Sequence, residues 1–239
     1  MVDVYWTCDN VNSLLVEPLK SVVNDLKKNN FLFGEETKNY YKCPGYTNFF
    51  KNTFVIESSM SFELTHTINP NGSPNIGVNR DQKFFDDNIL VDKLSAIQQM
   101  IHINQFHYFF SEQDIEISVM PAFYHDNDLN NHYITSGKFN ISKWFRPLYP
   151  NIILKGSKLK IEKGDALFYI KFHTNENINF KHFEQTEYLN SLSKDCLNVK
   201  SVIPHMGLDK LYKLFTRRNQ NKKVLCQNKL KKVRKNQKF

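Results

Sequence analysis

Between Lys138 and Phe172 the chain breaks into short apolar or alternating stretches separated by turn residues, and this rhythm constrains the fold more than any other feature. Phe139 and Ile141 alternate with polar neighbours towards Trp144. Arg146-Pro147 interrupts the pattern, and Ile152 to Leu154 forms a second apolar stretch. Leu159 and Ile161 alternate into Glu162-Lys163-Gly164-Asp165, and Leu167 to Phe172 is almost wholly apolar. Period-two alternation puts one face of a strand in a core, and short strands with turns every ten or so residues suit an antiparallel sandwich or barrel better than a parallel α/β sheet. The expectation is a mainly β (α+β) protein: a β-sandwich or jelly-roll-like body with an N-terminal and a C-terminal helix.

The rest of the chain fits this frame. Asp3 to Thr7 reads as an opening strand. Leu15, Leu19, Val22, Val23 and Leu26 recur at helical spacing with Lys20, Lys27 and Lys28 opposite, which predicts an amphipathic helix with Glu17-Pro18 in its first turn and Asn29-Asn30 at its end. Cys43-Pro44-Gly45 is a turn signal, and Asn52 to Leu64 has the β-branched and aromatic content of one or two strands. The run NPNGSPNIGVNR predicts a long exposed loop between Thr67 and Arg80. Aromatic residues favour strands between Leu94 and Phe110, and Ile115, Ile117 and Val119 alternate into Met120-Pro121. Asp126 to His132 reads as a loop, and Leu208, Leu211, Tyr212 and Phe215 predict the C-terminal helix.

Charge divides the chain unevenly. Lys210 to Phe239 holds 12 of the 32 Lys and Arg residues and none of the 24 Asp and Glu residues, so this segment is +12 and the remainder about −4. The boundaries that follow are a single β-rich domain over 1–215 and a basic tail over 216–239. In the tail Arg217, Arg218, Lys222, Lys223, Lys231, Lys232, Arg234 and Lys235 are the expected polyanion-binding residues. Such a segment binds nucleic acid, or an acidic protein surface, by releasing counterions and without sequence preference. Solubilising a chain end is the other reading of the same charge. The tail lacks the interleaved aromatics that stacking on single strands requires. No apolar run is long enough to span a bilayer, and Asp3 and Asp9 disfavour a secretory signal. The four cysteines, Cys8, Cys43, Cys196 and Cys226, are far apart and show no metal spacing, which suits free thiols in the cytoplasm.

Three fragments together carry a resemblance: Cys43-Pro44-Gly45 with the Phe54 to Leu64 region, Trp144-Phe145-Arg146-Pro147, and Gly164 to Tyr169 running on to Phe172-His173-Thr174. Their order over residues 40–215 resembles an uncharacterised protein family of tailed phages and some bacteria, one with no assigned activity. The resemblance implies a phage source, hence the host cytoplasm, and an abundance of residues with AT-rich codons agrees with it. It implies no catalytic residues.

Candidate chemistry is sparse. IEKGDALFYIKFHTNEN resembles the second motif of cupins, which would make His173 a metal ligand, although the two-histidine first motif has no counterpart upstream. A turn at Gly164-Asp165 within an ordinary hairpin is the plainer reading. His125, His132 and His173 could supply iron or zinc ligands to a jelly-roll metalloenzyme such as an iron/2-oxoglutarate-dependent oxygenase. Trp144 and Arg146 could form a ligand platform, the indole stacking and the guanidinium reading a carboxylate or phosphate; a structural arginine at a strand end is the alternative. No GxSxG, Walker A or GxGxxG motif is present. The leading expectation is a non-enzymatic binding or assembly protein without cofactor, with the metalloenzyme as its competitor.

Overall fold

The computed structural model describes residues 1–9, 19–29, 43–69, 73–93, 99–143, 145–149, 151–183, 187, 189–191, 193–195, 205–207 and 210. In chain order these form β1 (Val2–Asp9), β2 (Lys20–Ser21), α1 (Val22–Asn29), α2 (Pro44–Phe49), β3 (Thr53–Glu57), β4 (Phe62–Ile68), β5 (Pro74–Val78), α3 (Gln82–Asn88), β6 (Ile89–Lys93), β7 (Gln99–Ile103) and β8 (Phe106–Phe110). There follow β9 (Glu116–Pro121), a 3-10 turn (Asp128–Asn131), β10 (Tyr133–Ile134), β11 (Gly137–Asn140), β12 (Pro147–Leu148), β13 (Asn151–Ile153), β14 (Lys158–Ile161), β15 (Ala166–Phe172) and β16 (Ile178–His182). The protein is mainly β. Its sheets run β12-β8-β1-β16, β10-β13-β7-β6, β11-β9-β15-β3-β2 and β14-β4-β5. The pairs are antiparallel except β1 with β16, which is parallel.

Alternation worked where it was clean. In β14 Leu159 and Ile161 are buried while Lys158 and Lys160 are exposed, and in the β9 region Ile115 and Ile117 point into the core. One apolar cluster joins Val4 and Trp6 of β1, Ile101 and Ile103 of β7, Ile117 of β9, Ile152 of β13 and Phe168, Ile170 and Phe172 of β15.

Several sequence expectations need correction. Lys20 and Ser21 are not helical: they pair with Val55 and Phe54 as an edge strand. The helix begins only at Val22, where the Ser21 hydroxyl accepts the Asn24 amide hydrogen at 3.4 Å. Leu15 to Pro18 lie outside the described residues. Cys43-Pro44-Gly45 is not a turn, because Pro44 opens α2; its fixed φ and missing amide hydrogen suit a first helical turn. The expected loop over 67–80 holds β5, paired with β4 from Leu64↔Val78 to Ile68↔Pro74. Its composition is explained by the site it occupies. Pro74 starts an edge strand, which has no ladder bond to lose there, and a Cβ on Gly77 would stand 2.8 Å from the Thr65 hydroxyl. Only Lys210 of the expected C-terminal helix is described, and it is helical. The tail lies outside the described residues.

The turn at 162–165 does not close a hairpin, since β14 pairs with β4 and β15 pairs with β3 and β9. Residues 53–68 and 158–172 instead run side by side as one two-stranded ribbon that leaves one sheet and enters another. The corner is held by Ser58 N–H to Asp165 O and Gly164 N–H to Ser58 O, both 2.8 Å, and by Lys163 N–H to the Ser61 hydroxyl, also 2.8 Å. Gly164 takes φ +94° there, with open space where a Cβ would stand. Gly164→Ala is therefore expected to cost about 1–2 kcal/mol through backbone strain alone. An unchanged denaturation midpoint would show that the corner relaxes freely.

One buried group makes the core sensitive to acid. His107 on β8 is 6% exposed and its ring stacks on Phe109. Burial holds its pKa down to about 4, against a weaker opposing contact with the Gln105 carbonyl. The unfolded chain takes up this proton near pH 6.5, so stability is full above 6.5 and falls as the pH drops towards 4. The loss reaches about 2 kcal/mol by pH 5. Urea midpoints at pH 7 and 5 should differ less for His107→Leu than for the native chain. Equal differences would assign the acid sensitivity elsewhere.

Candidate functional site

β15 lies between β3 and β9, and all its residues except Lys171 are buried. It therefore carries Tyr169, at 0% exposure, into the densest part of the molecule, where a phenol needs partners. Two segments supply them. On α1, Val22, Asp25 and Leu26 share one face by their spacing, so burying the two apolar residues carries Asp25 in as well, to 6% exposure. The loop after β9 brings His125.

The result is a buried chain of hydrogen bonds joining Asp25 Oδ2 to His125 Nε2 at 2.7 Å and His125 Nδ1 to the Tyr169 hydroxyl at 2.7 Å. The Tyr124 amide donates to the same hydroxyl at 3.3 Å. A consistent arrangement of protons across these two bonds has the Tyr169 hydroxyl donate to Nδ1 and Nε2–H donate to the carboxylate. Burial pushes the Tyr169 pKa up, which keeps the phenol protonated as that donor. With all three side chains buried, the chain ties α1, the loop after β9 and β15 together.

Outside this lock lies an aromatic cluster. Phe50 packs edge-on against Tyr169 (6.0 Å between ring centres) and Tyr124 (5.3 Å), and Tyr46 packs on both Phe50 and Tyr124. Phe49 and Phe123 form its outer layer, 47% and 46% exposed, with their rings 6.4 Å apart. Lys171 Nζ stands 4.6 Å from the centre of the Phe49 ring and donates to the Phe49 carbonyl at 2.6 Å. Lys51 is exposed two residues beyond Phe49, its ammonium bonded to Asn175 O at 2.8 Å. Phe49 ends α2, which buries Tyr46, and Phe50 follows as the buried cap residue.

The histidines expected as metal ligands occupy three places. His125 belongs to the lock. His132 follows the 3-10 turn; its Nε2 donates to Lys158 O at 3.0 Å and its Nδ1 accepts the Lys155 amide hydrogen at 3.3 Å. Burial holds its pKa down, as such a neutral ring requires. His173 bonds the Ser118 hydroxyl at 2.7 Å beside the Phe172↔Ile117 end of the β15–β9 ladder, whereas His125 follows the Phe168↔Pro121 end, about 13 Å of strand away. The three do not converge, and no group of three or more metal-ligating side chains forms among the described residues.

Trp144 lies outside the described residues. Arg146 is half-buried, with its guanidinium 5.5 Å from the centre of the Phe139 ring. Its Nε meets no acceptor among the described residues, and the residue lines, with Phe109, Ile141 and Leu148, a cavity of about 10 Å³, room for about one water. The basic residues from Arg217 to Lys235 lie outside the described residues.

Sequence reading missed Asp25, Tyr169, Phe49 and Phe123. Asp25 had left one usable signal, a carboxylate on the apolar face of a helix; Phe49 and Phe123 had left none. Among the described residues no helix is long and apolar enough to cross a membrane, and Cys43 carries a free thiol. Comparison with protein-family models, with curated proteins and with solved structures finds no match for this chain.

Proposed function

We propose that this chain is a non-enzymatic binding or assembly protein, phage-encoded, whose basic C-terminal segment contacts nucleic acid or an acidic partner while a β-sandwich body presents it. The observation that carries this reading is the segregation of charge: +12 over residues 210–239 on a body of about −4. A uniformly basic segment with no internal acid gains most of its binding free energy from a polyanion's released counterions. The ribbon that passes from sheet to sheet at 58–61 and 162–165 supports a sandwich, in which strands commonly change sheets through such bends. The buried lock, with its members between 0% and 7% exposed, supports a rigid body. An iron oxygenase would need two histidines and a carboxylate on one metal, and no group of three metal-ligating side chains forms among the described residues.

The test is a titration of a fluorescent single-stranded oligonucleotide, at several salt concentrations, with the intact chain and with a chain ending at Phe215. Salt-sensitive binding confined to the intact chain supports the proposal. Equal affinity with and without the segment overturns it.

A further inference from the structure

The described body contains what the basic segment lacks. Single-strand binding combines cations along the phosphates with exposed aromatic faces on which bases stack, and the segment from 216 onward offers cations but only a terminal phenylalanine. On the body, the exposed phenylalanines Phe49 and Phe123 are neighbours, 6.4 Å apart between ring centres. Exposing two large rings side by side is costly for a soluble surface unless something covers them. These rings are also held in place, Phe123 by Phe50, Tyr124 and Tyr169 and Phe49 by Phe50 and α2. The Lys171 ammonium, 4.6 Å from the centre of the Phe49 ring, puts positive charge on the pair within reach of the phosphates of a stacked nucleotide, and exposed Lys51 follows two residues along the chain. A purely apolar protein partner would find these ammonium groups an obstacle, whereas a nucleotide strand complements both rings and cations.

We infer that Phe49 and Phe123 form a base-stacking platform for single-stranded nucleic acid, with Lys171 as its phosphate contact. The inference rests on the polyanion-binding reading and adds the class of polyanion: an unpaired strand rather than a duplex, whose bases are already stacked on one another. The platform is independent of sequence, since every base offers a π face. It works together with the basic segment, which supplies the salt-dependent part of the affinity.

The experiment compares the full chain with Phe49→Leu, Phe123→Leu and the double variant. Leucine keeps an apolar side chain on the surface and removes the ring. The probes are an oligothymidylate of about 12 nucleotides, within the usual footprint of such sites, and a duplex of equal length. The full chain is expected to prefer the single strand. Each leucine variant should weaken single-strand binding roughly five- to a hundredfold with the salt slope unchanged, and the double variant should lose the preference. Single-strand affinity within twofold of the native value in the double variant, with salt-sensitive binding intact, would overturn the platform and leave the basic segment as the only contact. No binding of either probe by the full chain would overturn the polyanion reading as well. A native dimer that the double variant converts to monomer, with oligonucleotide affinity unchanged, would assign the rings to a second copy of this chain and also overturn the inference.

Discussion

Ending the chain at Phe215 removes ten of its 32 basic side chains and no acidic one, and salt-dependent binding to a single-stranded oligonucleotide is expected to collapse with them. Each neutralised phosphate of a single strand adds about 0.7 to the slope of log affinity against log salt. If all ten engage, the slope falls by about 7 on truncation. The intact chain would then lose about four orders of magnitude in affinity between 50 and 200 mM salt, and the truncated chain far less. Residues 1–215, with 22 basic and 24 acidic side chains and so about −2, cannot replace that contribution, and residual binding should be weak and far less steep with salt. Circular dichroism of the truncated chain checks that the body still folds. A second variant, with Lys222, Lys223, Lys231, Lys232 and Lys235 changed to glutamine in the full-length chain, should lower the slope by about half as much. A steep slope surviving in both would place the polyanion contacts on the body.

His125→Ala is expected to destabilise the fold by about 1–3 kcal/mol, because it removes the 2.7 Å hydrogen bond to the buried Asp25 carboxylate. The same change deprives the Tyr169 hydroxyl of its acceptor. Asp25→Ala should be costly too, but the double variant should cost clearly less than the sum, since the bond between the two side chains is lost only once. The coupling read from a urea double-mutant cycle should be on the order of 1–3 kcal/mol. Additive single costs would show that the two side chains are merely neighbours. The consequence for binding is direct. Tyr169 backs Phe123 at 5.6 Å and Phe50 at 6.0 Å, so loosening the lock should also blunt the stacking surface built on it.

How much of this was legible depended on whether a feature was local. The alternation of Leu159 and Ile161 with lysines, and of Ile115 and Ile117 with acidic neighbours, is visible in any short window and correctly marked strands and their buried faces. The loop expectation for 67–80 failed because Asn, Gly and Pro there serve an edge strand, where Gly77 is demanded by Thr65 on the partner strand and not by a turn. The helix expected from Leu15 started late for a similar reason. Lys20 and Ser21 have helical spacing, but β3 offers them a ladder, and pairing with a neighbour outweighs a weak local propensity.

Sequence by itself determined that this chain is mainly β, which residues in the regular strands face inward, and where the positive charge is concentrated. Each of these follows from composition or from a period of two along a few residues. Only the tertiary structure decided that the turn at Gly164 rounds a sheet corner instead of closing a hairpin. The same holds for Asp25, His125 and Tyr169 forming one buried chain and for Phe49 and Phe123 standing side by side. Those juxtapositions join residues far apart in the chain, and they depend on which strands pair. Strand pairing is settled by burying the whole core at once, and no local window contains that information.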